Sequence, residues 1–373
     1  MSATADRVRE AYAAGRRLRI QGAGEWLGAG RPVSADATLS LADDRGIVEY
    51  VPGDLTLTAR AGTRLSELRA ATMAERQWLP LDPWGGDEGT LGATVSTATA
   101  GPHSHSMGLP RDAVLGMEFI TGSGETIRAG GRVVKNVAGF DLTRLLVGSW
   151  GTLGVITEVT VRLRARPQHS RTVGIATPTT RETLDRLGVL LRALPFTPLA
   201  AEMASQALVK QLGLGDDTLL LVQIGGNERS VREQLELLTE LGESREIDDV
   251  VWPVLRSADR SASATWRWSQ LPSLFGDTWC AAEKMAATIA GTVVHGSPAR
   301  GVVRVIVPAS RTHDAAQLAR ATEFHGTGAV ESLPPEAWEL VTSRAASDPL
   351  SQSIRRKFDP RGILNAGILD GVP

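Results

Sequence analysis

Three side-chain-poor stretches hold the residues whose types and spacing are suited to chemistry. The first is Gln21-Gly22-Ala23-Gly24-Glu25-Trp26 and the second Gly89-Thr90-Leu91-Gly92-Ala93-Thr94, part of a small-residue run that reaches Gly101. The third is Gly148-Ser149-Trp150-Gly151-Thr152-Leu153-Gly154, which feeds Val155 and Ile156. Consecutive peptide N–H groups in such loops form nests that hold anions without a lysine. A flat ligand can also lie directly against bare backbone where no Cβ intervenes. The plainer alternative is backbone packing: a tight turn before an ordinary strand at 148–163, and small residues pressed on another element at 89–101. The 39 glycines are bunched into these stretches rather than spread along the chain, which favours a nucleotide-type ligand over a plain scaffold.

Titratable side chains are sparser. His103 and His105 sit in Gly101-Pro102-His103-Ser104-His105, and either can take a proton near neutral pH, hydrogen bonding within their own loop being the other reading. Lys135 and Arg111 suit a carboxylate anchor or an ordinary salt bridge. Trp252, Trp266, Trp268 and Trp279 suit a pocket wall or a large core.

The elements that must position these residues follow from periodicity. A helix is expected over 8–15 and a strand over 18–20, then the glycine loop to 30 and strands at 38–41, 47–51 and 55–59. A helix over 65–75 has Thr63 as its expected N-cap, with Ser66 as competitor. A hairpin pairs 114–120 with 126–129 around Thr121-Gly122-Ser123-Gly124-Glu125. A helix over 142–147 leads to the strand 155–163, whose Val155, Thr157, Val159, Val161 and Leu163 share one face. The spacing Gly22-x-Gly24 is not a Rossmann fingerprint: Leu27 stands where the third glycine belongs, and Arg31-Pro32 precludes the helix that must follow. After Arg166-Pro167 the expected order is strand 171–176, helix 181–194, strands 199–204 and 218–224, helix 229–241 and strand 247–255, a ferredoxin-like β-α-β-β-α-β unit. Residues 259–290 read as helical, 292–294 and 302–307 as strands, and 313–323 as helix. The fold class is α+β.

At 373 residues the chain is long enough for two domains with their own cores. Its 42% hydrophobic and 22% charged content is that of a soluble globular chain, and a net charge of −2 gives no electrostatic footprint for nucleic acid. No apolar run spans a bilayer, and the charged first helix lacks the core of a signal peptide, so a cytoplasmic location is expected. The single cysteine, Cys280, excludes an internal disulfide and a cysteine-held iron–sulfur cluster within this chain.

Together these motifs resemble the FAD-binding (PCMH-type) domain of the vanillyl-alcohol oxidase/p-cresol methylhydroxylase family, most nearly the flavin subunits of bacterial glycolate oxidases. The residues that carry the likeness are Gln21-Gly22-Ala23-Gly24, Val51-Pro52-Gly53-Asp54-Leu55-Thr56, Gly89 to Thr94, Arg111-Asp112-x-Val114-Leu115-Gly116, 135–146, 148–158 and Lys357-Phe358-Asp359-Pro360-x-Gly362-Ile363-Leu364-Asn365. They span 1–165 and the tail; the middle follows only by element order.

The resemblance implies a two-subdomain FAD-binding domain over 1–165, a cap or substrate domain over 166–350, and a C-terminal segment, 351–373, returning to the FAD domain. It implies FAD held at Gln21, Gly22, Ala23, Gly24, Glu25 and Trp26, at Gly89, Thr90, Gly92, Ala93 and Thr94, at Gly101, and at Gly154, Val155 and Ile156. Relatives with covalent flavin carry a histidine where this chain has Glu25, so the FAD is expected to be non-covalent. Hydroxyacid-oxidising relatives carry a His-x-Gly-x-Gly-Asn-x-His cap motif whose histidines serve metal and substrate. Here His295-Gly296-Ser297-Pro298-Ala299-Arg300-Gly301-Val302-Val303-Arg304 keeps one histidine and puts Arg304 near the second position, so no metal is expected and His295 reads as a loop histidine. His103, near the expected flavin edge, His295 and Arg304 are the candidates for catalysis. The implied activity is oxidation of a small 2-hydroxy acid such as glycolate or lactate, in a hetero-oligomer with a paralogous flavin subunit and an iron–sulfur subunit. The alternative is an assembly or electron-relay subunit with no substrate site of its own.

Overall fold

A computed structural model describes residues 3–131, 141–259, 264–311, 314, 328–341 and 348–369. The chain divides into two compact units: 1–100, 108–166 and 342–373 form the first, and 101–107 with 167–341 the second. Lys135 and, apart from Asp314, the 313–323 helix expected from sequence lie outside the described residues. Among the described residues no helix is long and apolar enough to cross a membrane.

The first unit opens with the helix Ala3–Ala14, which buries Ala5, Val8 and Ala11 at three-residue spacing and ends on Gly15 at φ +65°. Strands β1 (Leu18–Gln21) and β2 (Ala37–Ser40) pair in parallel, with the glycine loop as the crossover between them. Strands β3 (Ile47–Val51), β4 (Thr56–Arg60), β5 (Gln77–Trp78), β6 (Val114–Ile120), β7 (Thr126–Gly130), β8 (Val155–Arg162) and β9 (Arg164–Ala165) follow. Five of them build an antiparallel sheet in the order β3-β4-β8-β6-β7, while β5 pairs β9. The β-branched run expected as a half-buried strand is thus the centre of this sheet, with Val155, Val159 and Val161 fully covered.

The helix Leu65–Ala74 shows how one loop is placed. Neither Thr63 nor Ser66 caps it: Arg64 holds the N-cap position and no side chain serves it. The Thr63 hydroxyl is bonded instead to the backbone of Gly46. The orphan N–H groups of Leu65 and Ser66 donate to the carbonyls of Gly89 and Asp87, at 3.0 and 2.9 Å. The helix start therefore fixes the strip that runs into the helix Leu91–Thr97.

The second unit is an antiparallel sheet of strands β10 (His169–Ala176), β11 (Ala200–Ala204), β12 (Leu219–Gly226), β13 (Ser244–Ile247), β14 (Ala264–Ser269), β15 (Val293–Ser297), β16 (Val302–Val307) and β17 (Gly328–Ser332). Their spatial order is β13-β10-β12-β11-β15-β16-β14-β17. The first four, with helices Arg181–Ala193 and Glu228–Leu238 between them, make the ferredoxin-like unit expected from element order. Two expectations are corrected. The strand over 247–255 stops at Ile247, because Asp248 turns the chain by accepting from Val250 N at 2.9 Å, and Val251–Arg256 is helical. The helical reading of 259–290 fails at β14, which is hydrogen-bonded to a strand on both sides; those ladders outweigh the weak helical preference of so short a stretch. Trp252, Trp266 and Trp279 are core residues, 0–2% exposed, rather than a pocket wall.

Candidate functional site

The loops singled out in the sequence meet in the first unit around one cleft. It is lined by the 21–26 loop, the start and inner face of the helix Leu91–Thr97, and the turn through Trp150, Gly151 and Gly154. About 1090 Å³ of space lies between its walls, the solvent-open mouth included. Gln21, Gly22, Ala23, Gly24, Glu25, Trp26, Gly89, Thr90, Gly92, Ala93, Thr94, Gly154 and Ile156 all line it. Val155 does not: its side chain is buried within the sheet. Gly101 falls in the second unit.

The glycines are required by how the walls pack. A Cβ on Gly22 would overlap the Thr90 hydroxyl, and one on Gly92 would come within 2.6 Å of the Ala61 Cβ. One on Gly154 would meet the Phe119 ring at 2.8 Å and the Ile120 carbonyl at 3.1 Å. The backbone-packing reading of these glycines is therefore correct, and it is also what leaves the opposite face of each loop bare. Hydroxyls along the helix are turned inward: Thr94 donates to Thr90 O at 3.0 Å and Thr97 to Ala93 O at 2.8 Å. Among the described residues, Arg19 and exposed Glu25 are the charged ones of the lining, and Arg19 is tied to Leu27 O at 2.7 Å. Trp26, Trp84 and Trp150 supply flat apolar walls.

Sequence reasoning missed Trp84, Trp150 and Asn365 as lining residues. Asn365 is the tie of this wall. Its Oδ1 accepts from Ile20 N at 2.8 Å, its Nδ2 donates to Trp150 O at 2.8 Å, and its own N–H donates to Leu18 O at 2.9 Å. Asn365 and Trp150 both hold left-handed backbone, φ 44° and 54°, as does Ala98 at the end of the Leu91–Thr97 helix. Such conformations persist where surrounding bonds over-determine them, and here they cluster at the cleft. The Asn in the tail motif was the available signal.

The remaining candidates lie elsewhere. Arg111 is exposed, 4.0 Å from Asp112, and outside the cleft lining. His103 belongs to the second unit; its Nε2 donates to Gln223 Oε1 at 2.7 Å, and its ring stands edge-on to Trp252 at 5.7 Å. His105 is pushed down to about 4 by burial and by the neighbouring Arg300 guanidinium, which also donates to Ser104. His295 is not a loop residue: it sits on β15, fully buried, directly across from Arg304 on β16. Burial first, and Arg304 second, push His295 down to about 3.

Both histidines are therefore neutral in the folded chain and titrate near the ordinary value of 6.5 once it unfolds. The unfolded state takes up their protons first, so stability is full above about pH 6.5 and declines as pH falls toward 4 and 3. Each histidine adds about 1.4 kcal/mol per pH unit to that slope. Urea unfolding at pH 7, 6 and 5 should show it, and His105→Gln should flatten it by about one proton; an unchanged slope would mean that His105 is not buried neutral.

A cleft with backbone-walled loops and aromatic faces, in which the basic lining residue Arg19 is tied back to Leu27 O, suits a dinucleotide with a flat ring, and comparison with known proteins agrees. A family model described as FAD binding domain matches residues 2–130. The chain belongs to the PCMH-type FAD-binding flavoproteins, and FAD is its cofactor. It is 37% identical over 252 residues, 67% of each chain, to glycolate oxidase subunit GlcE of Escherichia coli (strain K12). It is 28% identical over 204 residues to the mitochondrial D-lactate dehydrogenase [cytochrome] of Arabidopsis thaliana, 53% of this chain but only 36% of that one. Among solved structures it resembles the 4-ethylphenol oxidase of Gulosibacter chungangensis, with TM-score 0.73, 17% identity, and 99% and 88% of the two chains covered. An alkyldihydroxyacetonephosphate synthase matches with TM-score 0.70 and 16% identity over 97% of this chain and 73% of that one.

Proposed function

We propose that this chain is a flavin subunit of a 2-hydroxyacid-oxidising complex of the glycolate oxidase type, cytoplasmic, with FAD held non-covalently between its glycine loops. The observation that carries the reading is the convergence of those loops on one cleft in a chain 37% identical to a glycolate oxidase subunit. Bound there, FAD would supply the two-electron acceptor that the protein's own side chains lack. The chain's part is to hold it: peptide N–H groups of the 21–26 loop toward the phosphates, and the Gly154 strand start toward the ring system or adenine. The first unit would then be the FAD domain with its C-terminal return, and the second the cap. Electrons from a small 2-hydroxy acid such as glycolate or lactate would leave through a separate iron–sulfur subunit, because Cys280 is alone.

A second reading gives the chain no substrate site and places oxidation on a paralogous flavin partner. The burial of His295 and Arg304, 0% and 1% exposed, favours it, since neither can reach a small acid. Anaerobic addition of glycolate or D-lactate separates the two. Bleaching of flavin in the isolated chain upholds the first reading; bleaching only after the partner is added upholds the second, and none with the partner present sinks both. Acid precipitation should leave the yellow chromophore in the supernatant, whereas flavin retained in the pellet would contradict non-covalent binding.

A further inference from the structure

The second unit holds a buried charge cluster that the flavin cleft does not use. Arg304 is 1% exposed, and its guanidinium is spent in full view of acids. Nη2 donates to Asp259 Oδ2 and to Glu331 Oε2, each at 2.6 Å, and Nε donates to Glu331 Oε2 at 2.9 Å. Glu331 is shared with Arg267, whose Nε is 2.8 Å from Oε1. On the remaining side Arg304 Nη1 approaches His295 Nε2 at 3.4 Å, and His295 Nδ1 lies 2.8 Å from Glu202 Oε1. A guanidinium has no lone pair and can only donate, so Nε2 must be the acceptor and Nδ1 must carry the hydrogen given to Glu202. A neutral imidazole with its far N–H on a carboxylate and its lone pair aimed at a cation is the arrangement of a metal-ligating histidine with its outer-shell carboxylate.

The donor set is that of a divalent-cation site, yet the centre is filled by a side chain. Among the described residues no group of three or more His, Cys, Asp or Glu is gathered closely enough to hold a metal ion. The planar guanidinium takes the two carboxylates at 2.6 Å on Nη2 and meets His295 at 3.4 Å from Nη1, so no single point stands about 2.0–2.2 Å from all three as a metal ion would require. The metal that hydroxyacid-oxidising relatives of this family place in the cap therefore does not fit these residues. We infer that Arg304 is the resident cation of the second unit, a tethered replacement for a divalent metal that holds Asp259, Glu331 and the His295–Glu202 pair in one fixed cage. The cap is then metal-independent by construction, and its carboxylates are withdrawn from any ligand. This inference stands whichever reading of the oxidation is right.

The test uses the full-length flavoprotein and reads metal content and melting rather than turnover. The wild-type protein should contain well under one divalent ion per chain by elemental analysis, and EDTA, Mn(II) or Zn(II) should move its Tm by no more than about 1 °C. Arg304→Ala and Arg304→His should lower Tm by something on the order of 10 °C, since they take the guanidinium from Asp259 and leave Glu331 with Arg267 alone. Zn(II) should return at least half of that loss in Arg304→His with uptake of about one ion per chain, and His295→Gln in the same background should abolish the rescue. A wild-type chain with a stoichiometric ion whose removal lowers Tm by several degrees overturns the inference, even if neither variant folds. So does an Arg304→His protein that melts like wild type without metal, or one that is destabilised but takes up no ion.

Discussion

Gly22→Ala is expected to strip the protein of most of its FAD while leaving the chain folded. The added methyl would overlap the Thr90 hydroxyl, and Thr90 is the N-cap of the Leu91–Thr97 helix, accepting from Ala93 N at 3.4 Å. Neither wall can give freely. The 21–26 loop continues from β1, which is tied to Asn365, and the helix start is held by Leu91 N on Thr63 O and Gly92 N on Ala61 O, at 2.9 and 2.8 Å. Overpacking of this kind costs roughly 1–3 kcal/mol. If the strain is relieved by parting the two loops, FAD affinity falls roughly 10- to 100-fold at about 1.4 kcal/mol per decade. The visible-to-ultraviolet absorbance ratio of protein dialysed against dilute buffer reads the loss, and circular dichroism checks the fold. The double variant Gly22→Ala/Thr90→Ala removes the colliding atom and should recover flavin, although Thr90→Ala alone costs about 1 kcal/mol of helix capping. Full flavin retention in Gly22→Ala would show that the gap between these loops does not govern binding.

Asn365→Ala is expected to be the most damaging single change in the tail. It leaves Ile20 N–H and the Trp150 carbonyl without their partners at a residue 6% exposed, and it places alanine at φ 44°. Two half-buried backbone groups left unpaired cost roughly 1–3 kcal/mol together, with a further penalty for the left-handed backbone. The urea midpoint of the first unit should fall accordingly, and FAD retention with it, because Trp150 forms a cleft wall. Asn365→Asp separates the two bonds: the carboxylate still accepts from Ile20 but faces the Trp150 carbonyl without a proton to give. It should recover only part of the stability. Equal behaviour of the two variants would mean that the bond from Ile20 contributes nothing, and wild-type behaviour of Asn365→Asp that the bond to Trp150 contributes nothing.

The cleft was legible in the sequence because backbone permissiveness leaves a compositional mark. Positions where a Cβ cannot fit must be glycine, so 22, 92 and 154 announced themselves, and the hairpin of β6 and β7 was set by its Gly-containing turn. What holds those loops together did not leave such a mark. Ile20 and Asn365 are 345 positions apart, and one asparagine in a tail has many local uses. β15 was obscured by its own residues: Gly296 and Ser297 followed by Pro298 read as loop, yet both are buried between β11 and β16. The 247–255 stretch carries apolar residues at spacings that fit a strand or a short helix equally, and the decision fell to Asp248 and to the indole of Trp252, which donates to Thr172 Oγ1 at 2.8 Å. Partners on distant segments decide such cases, and local periodicity does not contain them.

The placement of Gly101–Met107 bears on how the protein can be taken apart. This short segment is flanked on both sides by chain of the first unit, yet it is bonded into the second: His103 to Gln223, Ser106 Oγ to Leu199 O at 2.8 Å, and Arg300 to Ser104. A fragment ending near residue 166 would carry these residues away from the strands they are stitched to, and the complementary fragment would lack them. Neither half produced by a single cut is a whole folding unit, so dissection, fusion or domain exchange in this chain has to follow a discontinuous boundary.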